Sequence, residues 1–195
     1  MAGGMFDYFG VLISVILGLA LTHLLYGLVR LIQMRHEVKA YWVQLVWSLT
    51  VAVYVLGIWW GMFWWKGLED WSAEWFYFIA SYSIVLFMWA AMLFPHDFAA
   101  GLDFETYFYA NRRWFFGFQT AATMMDVPET LQKAVMHLRD VPKQYVLFLP
   151  TFLLISVVGL LSANRRLHAF LAVAGMAVLL GYIFLTTLAR IVLHR

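Results

Sequence analysis

Two carboxylates three residues apart, Asp126 and Glu129, stand in a strongly apolar chain and are the first candidates for chemistry. On a continuous helix, at about 100° per residue, Gln119, Thr123, Asp126, Thr130 and Lys133 fall on one face within an arc of about 80°. Ala121, Met124, Met125, Pro128, Leu131 and Val135 fall on the other side. A carboxylate at membrane depth is costly, so it turns to a bundle interior, a partner or a water path. This polar face therefore suits a route or binding site for a proton, an ion or a small solute. The competing reading is an interfacial helix whose polar face touches water, with Asp126 as its N-cap.

His23 is the second candidate, set in the apolar run Leu21-Thr22-His23-Leu24. An imidazole there could relay protons, ligate a metal or haem iron, or simply bond to a neighbouring helix. His96, His137, His168 and His194 all lie near the ends of apolar stretches, and His36 lies in a connection. A haem held between helices would need a second histidine at the depth of His23, so no haem or other cofactor is expected. Pro95-His96-Asp97, with Asp103 and Glu105, could meet a divalent metal, but the spacing is not that of a ligand set and no metal is expected.

Other residues suit packing and lipid contact. Gly10, Ser14, Gly18 and Thr22 step every four residues, and Gly57 and Gly61 repeat the pattern; small residues at that spacing let helices approach, within or between subunits. Arg112, Arg113, Arg165 and Arg166 suit anionic lipid headgroups. Trp59, Trp60, Trp64, Trp65, Trp71 and Trp75 suit a membrane interface. The patterns H-E-x-x-H, G-x-S-x-G and the P-loop are all missing, so an enzyme is not the leading expectation.

The elements that must hold these groups follow from composition. The 195 residues are 64% hydrophobic and 12% charged, more apolar than one water-facing core of that size can bury. A soluble enzyme, a disordered chain and a nucleic-acid binder are thereby excluded. With no cysteine there is no disulfide framework or thiolate site, and a net charge of +2 is too small to act as a whole-molecule field. The expected fold is all-α: one polytopic membrane bundle over residues 1–195, embedded in a lipid bilayer.

Five apolar spans are clear, at about 8–32, 41–65, 75–94, 145–162 and 167–188, each long enough for a core ~30 Å thick. The first follows no basic segment and reads as a retained span. Residues 114–139 are ambiguous between a polar span, a broken one and an interfacial helix. Ala110-Asn111-Arg112-Arg113 recurs as Ala163-Asn164-Arg165-Arg166, and paired arginines mark the cytoplasmic end of spans. Both copies on one side require that the ambiguous segment cross, which favours six spans over five. The basic connection with Arg35 and Lys39 joins that side; the acidic loop with Glu69, Asp70 and Glu74 lies opposite. Both termini are then extracytoplasmic, in a membrane of prokaryotic type. Against this, Lys133, Arg139, Lys143, Arg190 and Arg195 would lie outside with six spans and inside with five. Asp126-Val127-Pro128 recurs as Asp140-Val141-Pro142, a helix-start pattern that predicts a break or restart near each aspartate.

Three functions are compatible with this reading. The leading one is an oligomeric channel or carrier for a proton, an ion or a small solute, because a chain of this size rarely encloses a pore alone. The second is a scaffold or accessory subunit of a larger membrane complex. The third is an intramembrane lipid-modifying enzyme using Asp126, Glu129 or the His96–Asp97 pair as acid and base.

Overall fold

Backbone amides in hydrocarbon must bond within their own segment, so long apolar runs become helices. In a computed structural model, which describes residues 2–68 and 71–193, six helices follow one another: α1 (Ala2–Gln33), α2 (Trp42–Met62), α3 (Ala73–Ala91), α4 (Phe104–Val135), α5 (Tyr145–Leu161) and α6 (Arg165–Leu193). A short 3-10 helix, Phe63–Gly67, extends α2. Glu69, Asp70, Met1, His194 and Arg195 lie outside the described residues, so the acidic loop and the termini are only partly covered. Segments within α1, α2, α3 and α6 are long and apolar enough to cross a membrane, and α5 is a shorter apolar helix. The chain is a helical membrane protein.

The helices alternate in direction. At one end the connections before α2, α4 and α6 meet. Lys39 N donates to Leu102 O at 2.9 Å, Phe104 N to Lys39 O at 3.0 Å, and Arg112 Nε to Ser162 O at 3.3 Å. Arg165 pairs with Glu105 at 3.0 Å. Arg35, Lys39, Arg112, Arg113, Arg165 and Arg166 all belong to this basic end. At the opposite end the 3-10 helix, the start of α3, the end of α4 and the start of α5 come together. The two Ala-Asn-Arg-Arg copies therefore share one end, and α4 runs the depth of the bundle between them and the other end.

The surface of α4 explains how so polar a helix holds that place. Gln119, Thr123, Asp126, Glu129 and Lys133 are buried, while Met124 is 60% exposed, Leu131 49% and Val135 72%. A helix in water does the reverse. Polar-in and apolar-out is the arrangement of a helix with hydrocarbon outside and a protein interior within.

Several local expectations are corrected. α4 is unbroken over its 32 residues, with Pro128 carried inside it on the exposed face, so Asp126 is neither a helix start nor an N-cap. The cap is Asp103, whose Oδ1 accepts from Glu105 N at 2.9 Å and Thr106 N at 3.2 Å. Of the two echoed asparagines, Asn164 caps α6 through Arg166 N, but Asn111 sits within α4. Asp140 precedes α5 by five residues, and Gln144 occupies its N-cap. Burial wins over the local cap pattern because a break at Asp126 would strand backbone groups inside the bundle.

The small-residue stripe of α1 is not a close contact within the chain. Nothing lies within 4 Å of a Cβ built at Gly18 or Gly57, and at Gly10 only Phe6 of the same helix does, at 4.0 Å. Ser14 accepts from Trp59 Nε1 at 3.2 Å, and Thr22 is exposed. The inward face of α1 is instead Ile13, Leu17, Ala20, Leu24 and Leu31. Close approach falls at Gly27, against the Phe94 ring, and at Gly159, against Phe116.

Candidate functional site

Asp126 lies on the inward face of α4, 7% exposed, and its two carboxylate oxygens are held by two different helices. Tyr82 of α3 donates its hydroxyl to Oδ1 at 3.2 Å, and Tyr145 at the start of α5 donates to Oδ2 at 2.8 Å. A third phenol, Tyr54 of α2, lies with its oxygen 3.3 Å from that of Tyr82. Hydrogen bonds to a charged acceptor are roughly twice as strong as neutral ones, so two phenols suit an ionised Asp126. No described basic group lies within ion-pairing distance of it.

One turn on, Glu129 and Lys133 form a close, buried ion pair at i, i+4. Trp65 Nε1 donates to Glu129 Oε1 at 3.0 Å, and Lys133 Nζ donates to Gly61 O at 2.9 Å. The Lys133 ammonium also sits 5.5 Å from the centre of the Trp65 ring. Desolvating two charges is tolerable only when further hydrogen bonds support them, and Trp65 supports the carboxylate while Gly61 supports the ammonium. A Cβ at Gly61 would stand 3.5 Å from Nζ, an ordinary van der Waals contact.

Both clusters border a cavity of about 560 Å³ between α2, α4, α5 and α6. Asp126, Glu129, Thr130 and Lys133 supply its polar side; Leu56, Trp60, Phe148, Leu179 and Tyr182 supply apolar and aromatic walls. Phe148 and Tyr182 stack with ring centres 4.4 Å apart, which stiffens the wall. A largely apolar cavity with a few converging polar groups is the usual form of a small-molecule site.

Toward the basic end the interior is filled. Trp47, Trp89, Phe115, Phe116 and Phe152 are fully buried, with neighbouring ring centres 4.9 to 6.5 Å apart. Gln119 and Thr123 lie in this direction, off the cavity. Thr123 Oγ1 donates to Gln119 O at 2.8 Å, while the buried Gln119 amide makes no hydrogen bond in the structure.

His23 is elsewhere. Its Nε2 lies 3.2 Å from Phe94 O, and it borders a separate cavity of about 280 Å³ with Thr22 and His96 near the basic end. Asp126 and His23 therefore do not converge. Asp103 and Glu105 are engaged in capping and ion pairing, and among the described residues no three His, Asp or Glu side chains are placed to hold a metal. Arg112 donates to the Ser162 carbonyl and to the Tyr109 carbonyl of its own helix, Arg165 pairs with Glu105 while its side chain stays 77% exposed, and Arg113 and Arg166 are exposed.

Sequence reasoning missed Tyr54 and Tyr82, took Tyr145 only as the start of a span, and assigned Trp65 to the membrane interface, whereas its ring is fully buried against Glu129 and Lys133. Their one signal is that a buried phenol or indole needs a partner. Comparison with family models, with curated proteins and with solved structures gives no match.

Proposed function

We propose that this protein is a membrane carrier for a proton, an ion or a small solute, with Asp126 as the binding carboxylate at the floor of the cavity. The observation that carries this reading is the buried Asp126, held by neutral phenols and unmatched by a cation, beside a cavity large enough for a ligand. Such a carboxylate favours a proton or a cationic group as its counter-charge. The aromatic plug argues for a carrier rather than an open channel, since it closes the path toward the basic end. Under the positive-inside rule the basic end is cytoplasmic and the cavity serves the extracytoplasmic side. The exposed faces of α1 and α6 leave room for lipid or for further copies of the chain.

Proteoliposomes loaded with a pH-sensitive dye and driven by a potassium diffusion potential test the reading. Wild-type protein conducts protons faster than empty liposomes do, and Asp126→Asn returns the rate to that of empty liposomes. Equal rates for all three samples, with and without a panel of small cations added, would remove the carrier reading. The separation of His23 from Asp126, each partnered locally, favours a scaffold or accessory subunit in that event.

A further inference from the structure

We propose that Tyr54 reports the protonation state of Asp126 to the cavity, through reversal of the hydrogen-bond chain Tyr54–Tyr82–Asp126. The proposal deepens the carrier reading and takes its cavity from it. The direction of the chain follows from counting hydrogens. A phenol has one hydrogen to donate, and an ionised carboxylate has none. Tyr82 gives its hydrogen to Asp126 Oδ1, so in the contact with Tyr54 its oxygen is the acceptor and Tyr54 is the donor. With Asp126 ionised, Tyr54 therefore has only lone pairs to offer the cavity it borders.

A proton arriving from the cavity binds the Tyr54 oxygen. The hydrogen that Tyr54 held passes to the Tyr82 oxygen, and the one that Tyr82 held passes to Oδ1. Each phenol gains one O–H bond and loses one, and the net change is one O–H bond formed on Asp126. Both hydrogen bonds of the chain now point the other way. Asp126 donates to Tyr82, Tyr82 donates to Tyr54, and Tyr54 donates into the cavity. One proton thus converts the Tyr54 hydroxyl from an acceptor for ligand N–H or O–H groups into a donor. Tyr145 stays on Oδ2 throughout and holds the carboxyl in place.

The charged and titratable groups around Asp126 are Tyr54 of α2, Tyr82 of α3, Glu129 and Lys133 of α4, Tyr145 of α5 with Tyr182 of α6 beside it, and Arg139 at the cavity edge. Glu129 is already matched by Lys133. Asp126 borders the cavity and, unlike Glu129, is also joined to it through the neutral hydroxyls of Tyr82 and Tyr54.

Infrared difference spectra of the purified protein in lipid, low pH minus high pH, test the proposal without any transport measurement. The expected spectrum has a carboxylic acid C=O band that grows as pH falls, is lost in Asp126→Asn and shifts in Tyr82→Phe. It also has a tyrosine band that Tyr54→Phe removes and Tyr145→Phe leaves. Wild-type protein labelled with ¹³C-aspartate shifts the same C=O band, which keeps the test valid should a variant fold poorly. An unshifted band in the labelled protein, the lack of any such band, or a tyrosine band lost with Tyr145→Phe and not with Tyr54→Phe would overturn the proposal. Liposomes that conduct through Asp126 while these bands are missing would overturn it and leave the carrier reading standing.

Discussion

Tyr145 donates its hydroxyl to Asp126 Oδ2 at 2.8 Å and so fastens the first turn of α5 to the inner face of α4, nineteen positions earlier in the chain. Few contacts in the bundle join a charged group to a neutral donor on a neighbouring helix, and this one bears on stability directly. Removing a hydrogen bond to a charged group costs about 1.5–3 kcal/mol. Tyr145→Phe should lower the unfolding free energy in detergent by an amount in that range. In a double-mutant cycle with Asp126→Asn the two changes should not add, with a coupling of at least ~0.5 kcal/mol. Strict additivity would show that the bond contributes nothing to stability.

The Glu129–Lys133 pair should respond asymmetrically. Glu129→Gln leaves the Lys133 ammonium buried beside neutral acceptors and the Trp65 ring but without its counter-charge, and breaking such a pair costs about 3–5 kcal/mol. Replacing both members, as Glu129→Gln with Lys133→Met, should recover most of the loss because neither member of the pair is then left as an unmatched charge. Denaturant titration in a mild detergent measures all three variants. A double variant as unstable as Glu129→Gln alone would contradict this account.

Glycine substitutions should separate true close approach from apparent spacing. A Cβ at Gly27 or Gly159 would lie 2.3 or 2.4 Å from the nearest ring atom of Phe94 or Phe116, so Ala there should cost about 1–3 kcal/mol. Gly18→Ala meets open space and should be neutral, or stabilising by up to about 1 kcal/mol through helix propensity. If Gly18→Leu changes the mass of the detergent-solubilised particle, the stripe of α1 packs against a second copy.

The chain has no native cysteine, so single cysteines can map the two ends of the bundle. Cysteine at Lys39, Asp97 and Asn164 should react with an impermeant thiol reagent from one side of the membrane, and cysteine at Lys66 and Gln144 from the other. Labelling of Asp97 and Gln144 from the same side would mean that α4 does not cross.

The polar stripe of α4 was legible from helical spacing alone, because side chains four and seven residues apart must share a face whatever surrounds them. The continuity of α4 was not. Asp-Val-Pro is a sound local start signal, yet Pro128 fits within the helix on its exposed side, and the interior holds the segment together. The phenol cradle was illegible for a different reason. Tyr54 and Tyr82 sit in apolar runs where an aromatic residue reads as core, and their partners lie 28 and 44 positions away, beyond any periodicity. The partner of the small-residue stripe was not legible, because a four-residue step names a face without saying what meets it.

The inverted surface of α4 also bears on how the protein is made. A helix bearing Asp126, Glu129 and Lys133 enters hydrocarbon poorly by itself, since each Asp or Lys near the middle of a span opposes insertion by roughly 2.5–3.5 kcal/mol. Tyr54, Trp65 and Tyr82 have left the ribosome before α4 appears, but Tyr145 has not. Lasting residence of α4 in the bilayer should therefore wait for the helix that follows it, with α4 and α5 expected to enter as a pair. Any change that weakens the hold of Tyr145 on Asp126 should then be felt during synthesis, as chains that stall at the membrane surface and are degraded, before it is felt in the finished protein.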